Sequence, residues 1–397
     1  MLKLLTRAEA QIAFRQPQES LTPPALTLPP TPKAPAGKPH NSDVASSAKA
    51  DTRGSGLVNS SVAFERRRVV AALALMATVL VPADAFACAC GCGVFDVGGS
   101  AINALPTDSD TGLSVWFRYS YMNQNRNWEH GSSAPASDNQ DKEINTSFYS
   151  TGGEYMINPN WTVMAELPVY ARHLTTTDDG TVFGPPGGIY TGKLTALGDL
   201  QLNAMYTGFS SDMTTGLSFG VKLPTGDFTG PRGPLGGLEF DRDSLPGTGS
   251  TDLMIGGYHI GNLNALGTLA YFVQARYEAA IATQEDYRPG NEADGAAGIT
   301  YDLDTIGPLD DVTPLVQLIG SWRLHDTEAN ADPLNSGYKR LLVAPGIQMR
   351  IKKFRIYADV EKPIYQYTNA ASSLAIEGTS GQLVASTLYK LQLAYDF

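Results

Sequence analysis

From about residue 111 to the C-terminus, apolar and polar residues alternate with a period of two. Counting back from Phe397 gives Tyr395, Leu393, Leu391, Tyr389, Thr387, Ala385 and Leu383 on one side; Asp396, Ala394, Gln392, Lys390, Leu388 and Ser386 fall on the other. Successive side chains of a strand point to opposite faces, so this segment reads as a strand with one oily and one mostly polar face. The pattern recurs in Leu113, Val115, Phe117, Tyr119 and Tyr121 against Ser114, Trp116, Arg118 and Ser120. It recurs again in Leu217, Phe219, Val221 and Leu223 against Ser218, Gly220 and Lys222. Twelve strands are predicted in all: 111–124, 143–157, 161–173, 194–208, 215–228, 248–260, 266–280, 292–303, 311–325, 337–351, 354–366 and 383–397.

The links between them alternate in length. Links 125–142, 174–193, 229–247, 281–291, 326–336 and 367–382 are long and polar. Asn158-Pro159-Asn160, 210–214, 261–265 and Lys352-Lys353 are tight turns, and 304–310 is somewhat longer. A soluble sandwich, the alternative for any one strand, has no reason to alternate in this way. An even strand count, short turns on one side, long loops on the other and both termini together are the requirements of a transmembrane antiparallel up-and-down β-barrel. Closure satisfies every backbone polar group in lipid. Trp161, Phe209, Trp322, Tyr338, Phe354 and Tyr365 fall near strand ends, where an aromatic girdle belongs.

Composition agrees with an all-β chain. Of 397 residues only 17% are charged, with 40 glycines, 18 tyrosines and 14 phenylalanines. No apolar run is long enough for a helical membrane span, which excludes a helical bundle and leaves a barrel open. The formal charge of −11 argues against nucleic acid, since a binder needs a basic surface to neutralise phosphates.

The N-terminal part divides differently. Residues 1–63 are rich in Pro, Ala, Ser and Thr and read as a disordered extension or an over-extended gene start. Residues 64–87 order a basic Arg66-Arg67-Arg68, the apolar run Val69 to Val81 and Ala85-Phe86-Ala87 as a secretory signal peptide. Residues 88–110 then form a Cys/Gly-rich periplasmic segment ahead of the barrel, 111–397. After cleavage the chain carries 19 basic and 34 acidic residues, a net −15.

Three features carry a family likeness. Lys222-Leu223-Pro224-Thr225-Gly226-Asp227, Gly247-Thr248-Gly249-Ser250-Thr251-Asp252 and the Phe-terminated last strand resemble the outer-membrane barrels associated with phenol and other aromatic meta-cleavage pathways. The resemblance spans roughly residues 110–397 and implies a bacterial outer-membrane transporter or channel. For the two glycine-rich motifs themselves, strand-end geometry outweighs substrate contact. The ending Tyr395-x-Phe397 resembles the signal by which barrel-assembly machinery recognises its clients.

The predicted polar face holds both signs of charge. Arg118, Arg172, Lys222, Arg276, Arg323, Arg340 and Lys390 accompany Glu166, Asp199, Asp252, Glu278, Asp294, Asp359 and Glu361. Twelve strands lie between a side-chain-filled lumen and an open channel. These residues therefore line a narrow pore for small solutes, or else plug it with salt bridges. All three cysteines, Cys88, Cys90 and Cys92, cluster at the new N-terminus. The cluster suits a soft metal ion, a redox centre or capture of a periplasmic partner. Lipidation at Cys88 and an oxidised, inert tail are the alternatives, and no other cofactor is expected. Lipid hydrolysis is the remaining class. Of His130, His173, His259 and His325, only His173 and His325 are candidate bases that could pair with a nearby serine, but none adjoins a recognisable serine nucleophile, so no catalytic residue and no enzyme activity is expected.

Overall fold

The computed structural model describes residues 112–177, 188–230, 240, 242–333, 335–369 and 381–397. The proposed extension, signal peptide and Cys-rich segment lie outside the described residues. Twelve staves follow one another: β1 Gly112–Glu129, β2 Asp141–Asn158, β3 Trp161–Thr177, β4 Ile189–Leu197 continued by Leu200–Tyr206, β5 Thr215–Leu223 and β6 Thr251–Asn262. They continue as β7 Leu269–Ala282, β8 Glu292–Tyr301, β9 Asp311–Arg323, β10 Tyr338–Ile351, β11 Phe354–Thr368 and β12 Gln382–Asp396. Each pairs antiparallel with the next, and β12 pairs with β1 from Asp396↔Ser114 to Gln382↔Trp128, so the sheet closes on itself. A two-residue ribbon, Ser132–Ser133, adds to the end of β1.

Alternation sets the two surfaces. Phe117, Leu202, Phe219, Val273, Val316, Leu318, Tyr389 and Leu393 are exposed on the outside, while Ser114, Arg118, Gln274, Gln317, Arg323 and Lys390 are buried within. An outer face of exposed aliphatic and aromatic residues has a favourable environment only in hydrocarbon. At the short-turn end the rings of Trp161, Tyr206 and Phe209 meet in series, tilted and then edge-on, at 5.0 and 5.1 Å, and those of Phe354, Tyr395 and Phe397 meet edge-on at 4.9 Å for each pair. Trp322 and Tyr365 also face outward. Tyr338 does not: it is buried inside and donates to Glu292 Oε1 at 2.7 Å, so it leaves the expected girdle.

β1 to β3 are 17 or 18 residues long, whereas a tilted membrane strand needs about 9–11. The excess projects beyond the bilayer on the long-loop side. There outward positions become polar and bond one another, as Asn123 to Glu143 and Tyr121 to Asn145, both at 2.8 Å.

Bulges break the period of two at several places, because one extra residue in a strand reverses every side chain beyond it, and two of them redirect predicted positions. In β4, residues 198–200 stand opposite only 167–168 of β3, where Gly198 N–H donates to the Pro168 carbonyl at 2.7 Å. The expected single strand 194–208 is therefore two segments with opposite facing. In β12, Leu388 and Ala385 oppose Met122 and Gln124. Leu383 and Ala385, expected on the oily outer face, consequently turn inward into buried clusters.

The inner wall is also less polar than expected. Phe272, Ala296, Leu315, Ile319, Leu342, Ala344 and Tyr357 form a buried apolar cluster inside the barrel along β7–β11. Side chains thus fill part of the lumen.

Candidate functional site

Around the remaining inner wall, charges of opposite sign meet across strands. Lys222 of β5 reaches Asp252 of β6 at 2.5 Å and Glu278 of β7 at 2.6 Å. Arg276 of β7 binds Asp294 of β8 at 2.9 Å, and Lys390 of β12 binds Glu361 of β11 at 2.9 Å. Arg118 of β1 pairs with Glu166 of β3 over the small residues Ser150 and Gly152 of β2. Trp116 lies where a Cβ on Gly152 would be, 2.2 Å from its ring, and Arg118 sits 4.7 Å over that same ring. Lone buried charges carry a large desolvation cost, which opposite neighbours offset.

The described part of the link between β5 and β6, residues 224–230, 240 and 242–250, turns into the barrel mouth. Pro224 ends β5 because it has no N–H to donate to a ladder. Past it, Gly226 and Gly247 cross so closely that a Cβ on Gly247 would lie 2.4 Å from the Gly226 carbonyl oxygen. Asp199, at the β4 bulge, holds the crossing: its Oδ1 accepts from Gly226 N–H at 2.9 Å, and its Oδ2 accepts from Thr248 N–H and Oγ1, both at 2.9 Å. Phe240 and Leu245 of the link bury against Ile144, Leu174, Leu194, Ala196 and Leu383, which face inward from β2, β3, β4 and β12. Arg172 donates to the Ser244 carbonyl at 3.1 Å and to Thr146 Oγ1 at 3.0 Å. Arg242 donates to the Thr248 carbonyl at 2.8 Å and lies 4.1 Å over the ring of Tyr287.

Tyr287 belongs to the β7–β8 link, which is fixed from the other side. Its hydroxyl donates to Asp326 at 2.7 Å, and Asp326 also takes Gly290 N–H at 2.8 Å and Arg323 at 2.5 Å. Burial pushes the Tyr287 hydroxyl well above the ordinary tyrosine range, which keeps it a donor.

Between the inward link and the β5–β9 wall lies a cavity of about 120 Å³, lined by Lys222, Asp252, Arg276, Glu278, Glu292 and Arg323 together with Leu245, Pro246 and Thr248 of the link. It is large enough for a cluster of waters or a small solute, at about 10–15 Å³ of such volume per water. A second cavity, of about 40 Å³, lies beside Arg340 near β10–β12.

The sequence-derived pore residues thus separate into groups. Lys222, Asp252, Arg276, Glu278 and Arg323 share the larger cavity, and Arg340 borders the smaller. Asp199 also borders the larger, yet both its oxygens are engaged by the link. Arg172 anchors the link. Asp359 accepts from Tyr357 at 2.5 Å on the β11 wall. Arg118–Glu166 and Lys390 are paired elsewhere on the inner face. Sequence reading missed Arg242, Tyr287, Glu292 and Asp326. All but Glu292 lie in links, where no periodicity marks an inward direction; Glu292 opens β8 on its inward face and was legible.

Of the histidines, His259 meets Thr215 Oγ1 at 2.8 Å and Tyr271 at 3.2 Å at the short-turn end. His325 meets Asn369 at 3.5 Å. Among the described residues neither approaches a serine hydroxyl. Cys88, Cys90 and Cys92 lie outside the described residues.

Closure, an apolar exterior, aromatic end rings and a charged, partly filled interior define the class: a bacterial outer-membrane β-barrel of twelve strands. No family model matches the sequence, and no curated protein matches it. Among solved structures, the chain is similar to an outer membrane channel from Pseudomonas putida F1, with a TM-score of 0.51, 9% identity, and coverage of 74% of this chain and 98% of that one. It also aligns with the β domain of the Bordetella autotransporter BrkA (TM-score 0.41, 12% identity, 72% and 100% coverage). The Ralstonia pickettii toluene transporter TbuX gives 0.33 and 10%, with 76% and 94% coverage. The likeness to the Pseudomonas putida channel, at 9% identity, is one of fold.

Proposed function

We propose that the barrel is a channel for small polar solutes, throttled by the inward β5–β6 link. The observation that carries this reading is the charged cavity between that link and the wall. Such a lining receives hydrated or hydrogen-bonding solutes and rejects bare hydrocarbon, for which its ion pairs would have to be desolvated. Aromatic compounds, the class implied by the family resemblance, fall within the proposal where they carry hydroxyl or carboxyl groups. Passage is controlled where the described part of the link narrows the mouth, and Arg242, which ties that part to Tyr287, is its latch.

Planar-bilayer recording and liposome swelling test the proposal. The wild-type barrel is expected to give small or intermittent conductance, and Arg242→Ala, which removes the contacts to Thr248 and Tyr287, a larger and more persistent one. A barrel that stays electrically silent and solute-tight in both forms refutes the proposal.

A further inference from the structure

The inner wall of β9–β12 carries a second group of polar residues, away from the larger cavity. Gln317 of β9 donates through Nε2 to the Tyr357 hydroxyl at 2.9 Å and to Asp359 Oδ2 at 3.3 Å, and Tyr357 donates to that same Oδ2 at 2.5 Å. These contacts fix the Gln317 amide, because a flip would set its oxygen against a carboxylate. Gln348 of β10 and Gln392 of β12 flank Tyr357 as its register partners on either side.

Four oxygens in this group accept no hydrogen bond: Gln317 Oε1, Gln348 Oε1, Asp359 Oδ1 and Gln392 Oε1. Gln317, Asp359 and Gln392 are 1%, 4% and 2% exposed. A buried oxygen without a donor is costly, and four together on neighbouring staves suit water or an electropositive occupant. Adjacent charge points the same way. Asp359 faces Lys390 in the register and Lys390 also binds Glu361, so one ammonium serves two carboxylates and these three side chains together keep one negative charge. Arg118, across from Gln392, is paired with Glu166.

We propose that Asp359, Gln317, Gln348 and Gln392 form a binding station for a hard metal cation on the inner wall. Carboxylate and amide oxygens are the ligands such ions take. Among the described residues no three Asp, Glu, His or Cys side chains gather to hold a metal. The station therefore rests on one carboxylate and neutral amides and binds weakly. Weak binding is what a transit site needs, since an ion must leave as readily as it enters. The role in transit rests on the channel reading above; the binding itself does not.

The test uses the full-length barrel purified from outer membranes in detergent, with terbium(III) as the probe and calcium as competitor. Tyr357 stands within the station and would sensitise terbium emission. Calcium-displaceable emission is expected, with affinity falling about tenfold or more in Asp359→Asn and rising in Gln392→Glu, because charge count sets such affinities. Heat-modifiable gel mobility reports whether each variant is folded. If Asp359→Asn fails to fold, Gln392→Glu still decides the matter through its opposite sign. Absence of calcium-displaceable emission, or the same affinity in wild type and the folded variants, overturns the station. Conduction without terbium binding overturns the station and leaves the channel reading intact; terbium binding in an electrically silent barrel does the reverse.

Discussion

Replacing Asp199 tests how the mouth of the barrel is held. Its carboxylate is 4% exposed and accepts from two backbone N–H groups and one hydroxyl, all at 2.9 Å. Hydrogen bonds to a charged acceptor contribute about 1.5–3 kcal/mol each. Water in the adjacent cavity would recover part of the loss in Asp199→Ala, leaving a net cost of about 2–4 kcal/mol for the inward arrangement of the link. At about 1.4 kcal/mol per factor of ten, the equilibrium between inward and displaced link shifts by roughly 30- to 1,000-fold. The shift is read as a rise in open probability in single-channel records, with a lower urea midpoint by tryptophan fluorescence. Asp199→Asn keeps one acceptor but turns an amide N–H toward Thr248, so it should fall between. If Asp199→Ala conducts and unfolds like wild type, the clamp does not hold the link.

Three further outcomes are expected. Gly247→Ala places a methyl against the Gly226 backbone, which cannot step aside, and should lower the urea midpoint by the equivalent of about 1–3 kcal/mol; an unchanged midpoint would show that the crossing is not tight. Deleting Phe397, which is 64% exposed and meets the Tyr395 ring edge-on, removes about 0.5–1.5 kcal/mol of ring contact and the proposed assembly signal; immunoblots of outer-membrane fractions should show less folded barrel. We also propose that Cys88, Cys90 and Cys92 hold a soft metal in the exported chain. Their joint replacement by Ser should abolish bound copper or zinc by elemental analysis while leaving heat-modifiable mobility unchanged, and metal content equal to wild type would end that assignment.

The barrel was legible because lipid imposes a repeating demand that a sequence records residue by residue. Phe117 against Arg118, or Leu391 against Lys390, states its facing without reference to any other strand. The exceptions have a local cause that periodicity does not carry. Nothing in Ser386-Thr387 announces a bulge, so Leu383 and Ala385 appeared to belong to the outer face. Tyr338 had the residue type and strand-end position of a girdle aromatic, and its inward facing follows from its register with the buried Arg323 on β9 and Thr368 on β11. The motif around Gly226 and Gly247 was visible as unusual; its clamp on Asp199 joins segments that the sequence keeps apart.

Strand number, two-faced strands, short turns on one side and the stock of inner charges follow from the chain alone, since each depends on neighbours one or two residues away. Which charges pair, how far side chains fill the lumen, and that the β5–β6 link enters the mouth depend on register, bulges and closure. Those bring residues from distant staves within reach, and no local pattern encodes the distances between them.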